Sequence, residues 1–254
     1  AAATDVGNFN IAFVAMPRRT GKNILQITES EEQDLKALRK GLHISRWTTD
    51  RLARLWLLMQ LDPRKENEYH ATIENLFLSA EMSELVALYS ALPLLAYPDS
   101  WTKRCAEGIR SNIGQVLEAV ICNNPFPAEH LDETAWNQLV LKAIFTEKPV
   151  LDITGLRERR NANLARSLSD YAHERWAAHR DVNPLLWICV APFISDHNFS
   201  DIQKLFSSGD AAERDAAALA CYESSYEPAK KLVDEQLADD IRSGKVSWRG
   251  VAER

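Results

Sequence analysis

The chain contains little glycine and lacks a long run of apolar residues. Only 9 of its 254 residues are glycine, which disfavours a fold rich in sheet or in tight loops. No apolar stretch reaches the ~18 residues that a membrane-spanning helix needs. The longest stretch, residues 184–194, is interrupted by two prolines and is better explained as core. We therefore predict no transmembrane segment.

The chain also lacks a net positive charge and a recognised catalytic motif. A formal net charge of −6 argues against a nucleic-acid partner, because such partners are held mainly through phosphate contacts. The chain has no GxSxG, Walker, GxGxxG or SxxK motif. His173-Glu174 does not continue into HExxH, and the next histidine, His179, lies on another side of the helix. We predict no resident metal or cofactor, and no catalytic residue can be assigned.

Four cysteines are scattered without the close spacing of a zinc site, at Cys105, Cys122, Cys189 and Cys221. This pattern predicts reduced and mostly buried thiols, and hence a cytoplasmic protein. The chain begins without methionine, which leaves open whether residues 1–15 are native, and Met16 is a candidate start.

Apolar residues recur at helical spacing from Glu29 onward. Leu52, Leu55, Trp56 and Met59, for example, follow the i, i+3, i+4, i+7 pattern of one helix face. We predict an all-α fold, an array of about ten helices arranged as HEAT-like alpha-solenoid hairpins. Residues 28–254 are expected to form a single helical domain, preceded by a flexible N-terminal segment at residues 1–27 that is either extended or mobile.

A helix predicted at residues 132–145 is apolar around almost its whole circumference. Only Gln138 and Lys142 form a narrow polar stripe on it. A helix of this kind is normally buried, so the lysine must reach solvent, a carboxylate or a ligand. The sequence leaves these alternatives open.

A second helix predicted at residues 156–178 places Arg175 in the middle of its apolar arc. Since arginine keeps its proton in proteins, we expect Arg175 to be buried and held by a carboxylate or by backbone carbonyls. The opposite face carries Asp170, His173 and Glu174. These three residues form either an ordinary solvated face or one wall of a polar groove that Lys142 completes, with Trp136 or Trp176 near enough to stack on a ligand.

The central stretch resembles the EboA-domain family. The resemblance rests on Arg110-Ser111-Asn112, on Asn124-Pro125-Phe126-Pro127, on residues 136–143, on Gly155-Leu156 and on residues 170–178. The first 45 residues lie outside it, and two positions depart from the expected pattern, with His179 in place of a glycine and Arg157 in place of an acidic residue.

This resemblance implies an all-helical bacterial protein linked to making or moving a secondary metabolite, with no established reaction. The matching positions give a set of candidate ligand-binding residues: Asn112, Trp136, Asn137, Lys142, Asp170, His173, Glu174 and Arg175.

Two classes of function remain after this comparison. The first is a non-catalytic binding or adaptor protein that takes a polar-headed metabolite or a partner protein of the pathway. The second is an enzyme that uses Lys142, Asp170, His173 and Glu174 as acid–base groups. The lack of a nucleophile, metal or cofactor motif favours the first class. The sequence identifies neither the ligand nor the oligomeric state.

Overall fold

The structure is a computed structural model that describes residues 6–254. This part of the chain forms helices and no strand, which confirms the predicted all-α fold. The α-helices are α1 (Val6–Thr20), α2 (Glu29–Leu38), α3 (Thr49–Leu58), α4 (Glu66–Ser79), α5 (Met82–Ala91), α6 (Thr102–Arg110), α7 (Gly114–Ile121), α8 (Phe126–His130), α9 (Glu133–Phe145), α10 (Ala162–Ala177), α11 (Trp187–Val190), α12 (Phe199–Phe206), α13 (Ala211–Glu223), α14 (Glu227–Lys230), α15 (Glu235–Arg242) and α16 (Trp248–Ala252). Their arrangement as HEAT-like hairpins stays a prediction.

The helices group into two compact units. The first unit extends to Trp136 and also includes Asp152–Thr154, whereas the second consists of Asn137–Leu151 and Gly155–Arg254. Helix α9 therefore begins in the first unit and ends in the second. That residues 28–254 behave as one domain stays a prediction.

Helix α1 lies in the segment for which we expected an extended chain. Phe9 and Phe13, four residues apart, are both buried, and the helix packs on α3 in the first unit. The extended conformation is thus wrong for residues 6–20, because one buried aromatic pair suffices to dock a helix that lacks a longer apolar stripe. Residues 1–5 of the segment lie outside the described residues, and its flexibility stays a prediction.

The Arg54 guanidinium joins three helices of the first unit. Pro17 has no N–H, so the carbonyl of Phe13, four residues earlier in α1, lacks its usual helical donor. Arg54 Nε donates to that carbonyl at 3.0 Å. Its Nη1 donates to Asp50 on α3 at 2.7 Å, and its Nη2 lies 3.8 Å from a Glu84 carboxylate oxygen on α5. The side chain is only 1% exposed, so these partners replace the water that it loses.

This arrangement rotates α3 away from its predicted orientation. Of the predicted stripe, Leu55 is buried, but Trp56 is 60% exposed and Met59 is exposed as well. The buried face instead contains Asp50 and Arg54 beside the leucines. Helical periodicity predicts that charged residues face solvent. Asp50 and Arg54 are buried instead, because their two charges neutralise each other inside the unit.

Two predicted long helices are interrupted. The helix expected at residues 99–122 breaks into α6 and α7, where the Ser111 hydroxyl accepts the Ile113 N–H at 3.1 Å. The helix expected from Pro228 onward breaks into α14 and α15, where the Asp234 carboxylate caps the new start by accepting the Leu237 N–H at 2.8 Å. In both places a short polar side chain competes for backbone hydrogen bonds and starts a new helix.

Two further segments are more helical than expected. The two X-Pro pairs at residues 124–127 favour an extended turn, but Phe126 and Pro127 begin α8, with Pro127 in its first turn, where the missing N–H costs nothing. The end of the chain from Gly244, expected to be loose, contains α16, and the indole of Trp248 is docked as predicted.

Helix α13 is the centre of the second unit. Its buried residues are mostly small, which lets neighbouring helices approach closely: Ala212, Ala216, Ala217, Ala218, Leu219, Ala220 and Cys221. Helices α11, α12 and α16 pack on α13, and α10 packs on α11. Helix α10, which carries four of the eight candidate site residues, is thereby fixed to the core through α11.

Replacing Arg54 by alanine should destabilise the protein by about 3–5 kcal/mol, because Asp50 and Glu84 would remain buried without their cation. Urea denaturation of both proteins measures this difference. The control is Arg64→Ala, which removes a largely exposed arginine that pairs with Asp62 and should leave stability nearly unchanged, because exposed ion pairs contribute little. Equal denaturation midpoints and slopes for Arg54→Ala and the unmodified chain would contradict the role of Arg54.

Candidate functional site

The start of helix α10 is set by a pair of asparagine amides. Asn161 Oδ1 accepts the Leu164 N–H at 2.9 Å and so caps the helix. Asn137, on α9, donates to the same oxygen at 3.2 Å and accepts from Asn161 Nδ2 at 2.8 Å. Asn137, one of the candidate ligand-binding residues, therefore fixes the beginning of α10.

Residues 156–161 were expected to be helical and are not, because Glu223 holds them as turns. Its carboxylate, at the end of α13, accepts from Arg157 Nη1 and Arg160 Nη1, both at 2.8 Å, and from Trp248 Nε1 at 2.7 Å. Arg160 also donates to the Ile188 carbonyl in α11 at 3.0 Å. One carboxylate thus ties the approach to α10 to α13 and α16.

Two pairs of side chains connect one face of α10 with one face of α12. His173 Nε2 lies 2.8 and 2.9 Å from the two carboxylate oxygens of Asp201. One turn further along both helices, Lys204 Nζ lies 3.7 Å from the centre of a Trp176 ring. We call these four residues the α10–α12 ladder. Its exposure is unequal, since the His173 side chain is 52% exposed and the Asp201 side chain only 10%.

Two buried polar atoms beside this ladder lack a hydrogen-bond partner in the described part of the chain. Ser169, one turn before His173 on the same face of α10, has an unpartnered hydroxyl. The indole of Trp187, which stacks on Trp176 with ring centres 6.1 Å apart, has an unpartnered N–H. Unsatisfied buried groups each cost about 1–3 kcal/mol and are uncommon in folded proteins. Their position next to the ladder marks this part of the second unit as a candidate site.

Arg175 is not buried as predicted. It is half-buried, its Nε donates to the Asp181 carbonyl at 2.8 Å, and its guanidinium carbon lies 6.0 Å from the centre of the Tyr171 ring. The prediction is wrong because Arg175 lies in the last turn of α10, where a long side chain reaches the following loop and the edge of solvent. Tyr171 also contacts the exposed ring of Phe145 on α9, with ring centres 4.3 Å apart.

The other candidate residues differ in their surroundings. Asp170 and Glu174 are exposed on α10, and neither forms an ion pair within residues 6–254. Lys142 is half-buried on the part of α9 that belongs to the second unit. In the first unit, Asn112 is exposed at the break before α7 and Trp136 is fully buried. Of the predicted set, the ladder contains His173 alone, and the contribution of the other residues to a ligand site stays a prediction.

Sequence reasoning missed Asp201 and Lys204. They are three residues apart, which places them on one side of α12, but the helix has only eight residues and follows a segment expected to be irregular. Their partners lie 28 residues away in the chain, a separation that carries no periodic signal. The sequence contains many acidic residues, and no pattern in it distinguishes Asp201 as the partner of His173.

The thiols provide no nucleophile near the site. Burial raises the pKa of Cys105, Cys189 and Cys221 to about 12. All four cysteines are free, three of them buried, as the sequence predicted. A thiol with so high a pKa is almost never the reactive thiolate.

No three His, Cys, Asp or Glu side chains of residues 6–254 are grouped so that they could hold a metal ion. None of the helices in that range combines the length and the apolar character that crossing a bilayer requires.

Within residues 6–254 the protein is all-helical, and helix α10 carries the His173 imidazole and the Trp176 indole on one face. The sequence model of a protein family described as "Metabolite traffic protein EboA" matches residues 1–191. The chain belongs to this family, which confirms the resemblance found in the sequence. The match includes the first 45 residues, which we had expected to lie outside it. No match was found among curated proteins or among solved structures.

The ionisation of Glu223 predicts a pH-dependent stability. Burial raises the pKa of this carboxyl, but the hydrogen bonds from Arg157, Trp248 and Arg160 outweigh burial and hold the pKa below its ordinary value of 4.5. The carboxylate therefore stabilises the fold fully above pH 4.5, and this contribution is lost as the pH falls through the lower folded-state pKa.

We expect Glu223→Gln to lower the free energy of unfolding by about 1–3 kcal/mol at neutral pH, the range for hydrogen bonds to a charged group. The gap between the variant and the unmodified chain should narrow as the pH drops below 4.5. Denaturant titrations over a series of pH values measure it. Glu227→Gln, at an exposed carboxylate paired with Lys230, is the matched control. A gap that stays constant into strong acid would rule out the proposed ionisation.

Proposed function

We propose that this protein is a non-catalytic, cytoplasmic binding protein of a bacterial secondary-metabolite pathway, and that it binds a polar-headed aromatic metabolite at the α10–α12 ladder. The family description names metabolite traffic, and it supports a role in handling a metabolite without chemical conversion. Within that role, the ladder supplies the two parts of the recognition. Trp176 supplies an indole for an aromatic ligand, His173 supplies a polar group beside it, and the Lys204 ammonium lies over one of the indole rings.

The observation that supports this site best is the unequal exposure of the His173–Asp201 pair. In this pair the carboxylate is buried, whereas about half of the imidazole faces solvent. The ring is therefore held in one orientation while it remains accessible to a solute. The unpartnered Ser169 hydroxyl, one turn away, adds a second polar group that a ligand or a water molecule would satisfy.

Lys142, Asp170 and Glu174 extend the proposal to the surroundings of the ladder. Asp170 and Glu174 flank His173 along α10, and the Phe145–Tyr171 contact connects α9 and α10 within the second unit. We infer that Lys142, one turn before Phe145, contributes to a groove along these helices. A protein partner that inserts a polar-headed aromatic side chain would use the same groove.

Small aromatic probes test this function. The full chain is titrated with benzyl alcohol, benzylamine and benzoate, three molecules that share a ring and differ in the head group. We expect at least one to quench tryptophan fluorescence with saturation, and Trp176→Phe to remove that quenching. Trp56→Phe, at an exposed tryptophan of the first unit, should leave the quenching intact. His173→Ala should raise the Kd of the same probe about tenfold or more, and a tenfold rise corresponds to a loss of ~1.4 kcal/mol of binding free energy.

Failure of all three probes, or equal binding to the unmodified chain and to Trp176→Phe, would exclude the ladder as the ligand site.

The Lys142→Met variant distinguishes two roles of Lys142, a ligand contact in the groove and a structural tie between elements, when probe binding and stability are both measured. Weaker probe binding with unchanged stability supports the groove. A large loss of stability with unchanged probe affinity means that Lys142 is a tie between elements.

An enzyme is the second candidate, and the His173–Asp201 pair is the observation that favours it. A histidine oriented by a buried carboxylate is the arrangement of many general bases. An enzyme and a binding protein differ in what happens to the bound molecule. Recovery of the pathway metabolite unchanged after long incubation supports a binding protein. Conversion that stops in His173→Gln, with binding retained, would establish the enzyme instead.

A further inference from the structure

We propose that Asp201 is a positioning residue that fixes the Nε2–H tautomer of His173, so that Nδ1 accepts a hydrogen bond from the hydroxyl group of a neutral aromatic ligand. This inference rests on the proposed function, and it adds the class of ligand and the atom that selects it. Asp201 is not among the residues singled out from the sequence. His173 is among them, but the sequence assigns no role to its Nδ1 atom.

The tautomer follows from the contacts of Nε2. Both oxygens of the Asp201 carboxylate lie within 2.9 Å of this nitrogen. An ionised carboxylate only accepts hydrogen bonds, so the proton must be on Nε2. In the neutral imidazole the other nitrogen then carries a lone pair and no proton. Because Asp201 is buried, few water molecules can compete with His173 for its carboxylate oxygens. The hydrogen bond between the two side chains is therefore persistent.

The lone pair on Nδ1 is available to a ligand. No hydrogen bond within residues 6–254 involves His173 Nδ1, and the side chain is half exposed. An acceptor at this place selects molecules that donate, such as alcohols. It disfavours a ligand that can only accept, such as an ether or a carboxylate, because two lone pairs would face each other.

The charges around the ladder favour a neutral ligand over an ionic one. Asp170 and Glu174 are exposed on either side of His173 along α10 and repel an anion. Lys204, whose ammonium lies 3.7 Å from the centre of a Trp176 ring, repels a second cation from the same aromatic surface. A hydroxyl group adjacent to an aromatic ring meets both conditions and supplies the donor that Nδ1 requires.

The tautomer is measured directly on the full chain by ¹H–¹⁵N correlation of the histidine rings, at a pH where imidazole is neutral. We expect the His173 Nε2 proton to appear as a resolved one-bond correlation, because the hydrogen bond to Asp201 slows its exchange with water. The absence of the signal in His173→Gln assigns it. The signal should vanish in Asp201→Asn and persist in Asp215→Asn, a matched change at a carboxylate of α13 that pairs with Arg254.

A pair of probes measures the selectivity. Benzyl alcohol should shift the His173 and Trp176 signals and bind about tenfold more tightly than benzyl methyl ether, which has no donor. In Asp201→Asn this preference should disappear. If Asp201→Asn does not fold, two measurements on the unmodified chain still test the inference. These are the tautomer of His173 and the relative affinity for the alcohol and the ether.

A proton on Nδ1 of the unmodified chain, or equal affinity for alcohol and ether, would overturn the inference. Binding of benzoate or benzylamine at Trp176 without binding of the alcohol would also overturn it, while the proposed function stands. Failure of every probe removes the proposed function, and this inference falls with it.

Discussion

The Glu223 carboxylate is the constraint on which the site-bearing unit depends. Its two oxygens accept three hydrogen bonds, from Arg157, Arg160 and Trp248. These donors belong to the turn before α10 and to α16, and Glu223 itself ends α13, the helix at the centre of the unit. Arg160 adds a bond to α11. Without the carboxylate, two guanidinium groups would lie close together with no counter-charge, and the start of α10 would lose its anchor.

Much of the fold could be predicted because local signals and packing agree. Helix α4 shows this best, since Tyr69, Ile73, Leu76 and Phe77 form a regular stripe and are all buried. Helix α9 begins where Asp132 was expected to cap it, and the Asp132 carboxylate accepts the Ala135 N–H at 2.7 Å. In these segments capping, periodicity and burial all favour the same conformation, and tertiary contacts do not change it.

Two of the errors have a common physical origin in charged residues that are paired within the fold. Residues 156–160 have good helix formers, yet Arg157 and Arg160 bind Glu223 from a turn. Asp50 and Arg54 turn the predicted polar side of α3 inward. His173 was among the predicted site residues, a role that stays a prediction, whereas its partner Asp201 was not singled out. The sequence shows that a charge is present and does not show which distant residue neutralises it.

The same principle separates the scaffold from the site. Arg54 and His173 each pair with a buried carboxylate, and the geometry of each pair is well defined. Arg54 is itself buried, and its partners include a backbone carbonyl. Its guanidinium contacts therefore join α1, α3 and α5. His173 contacts its carboxylate through one nitrogen and stays half exposed, and the second nitrogen is the atom that we propose for ligand binding. A buried carboxylate thus joins helices in the first case, and in the second it orients a side chain that remains half exposed to solvent.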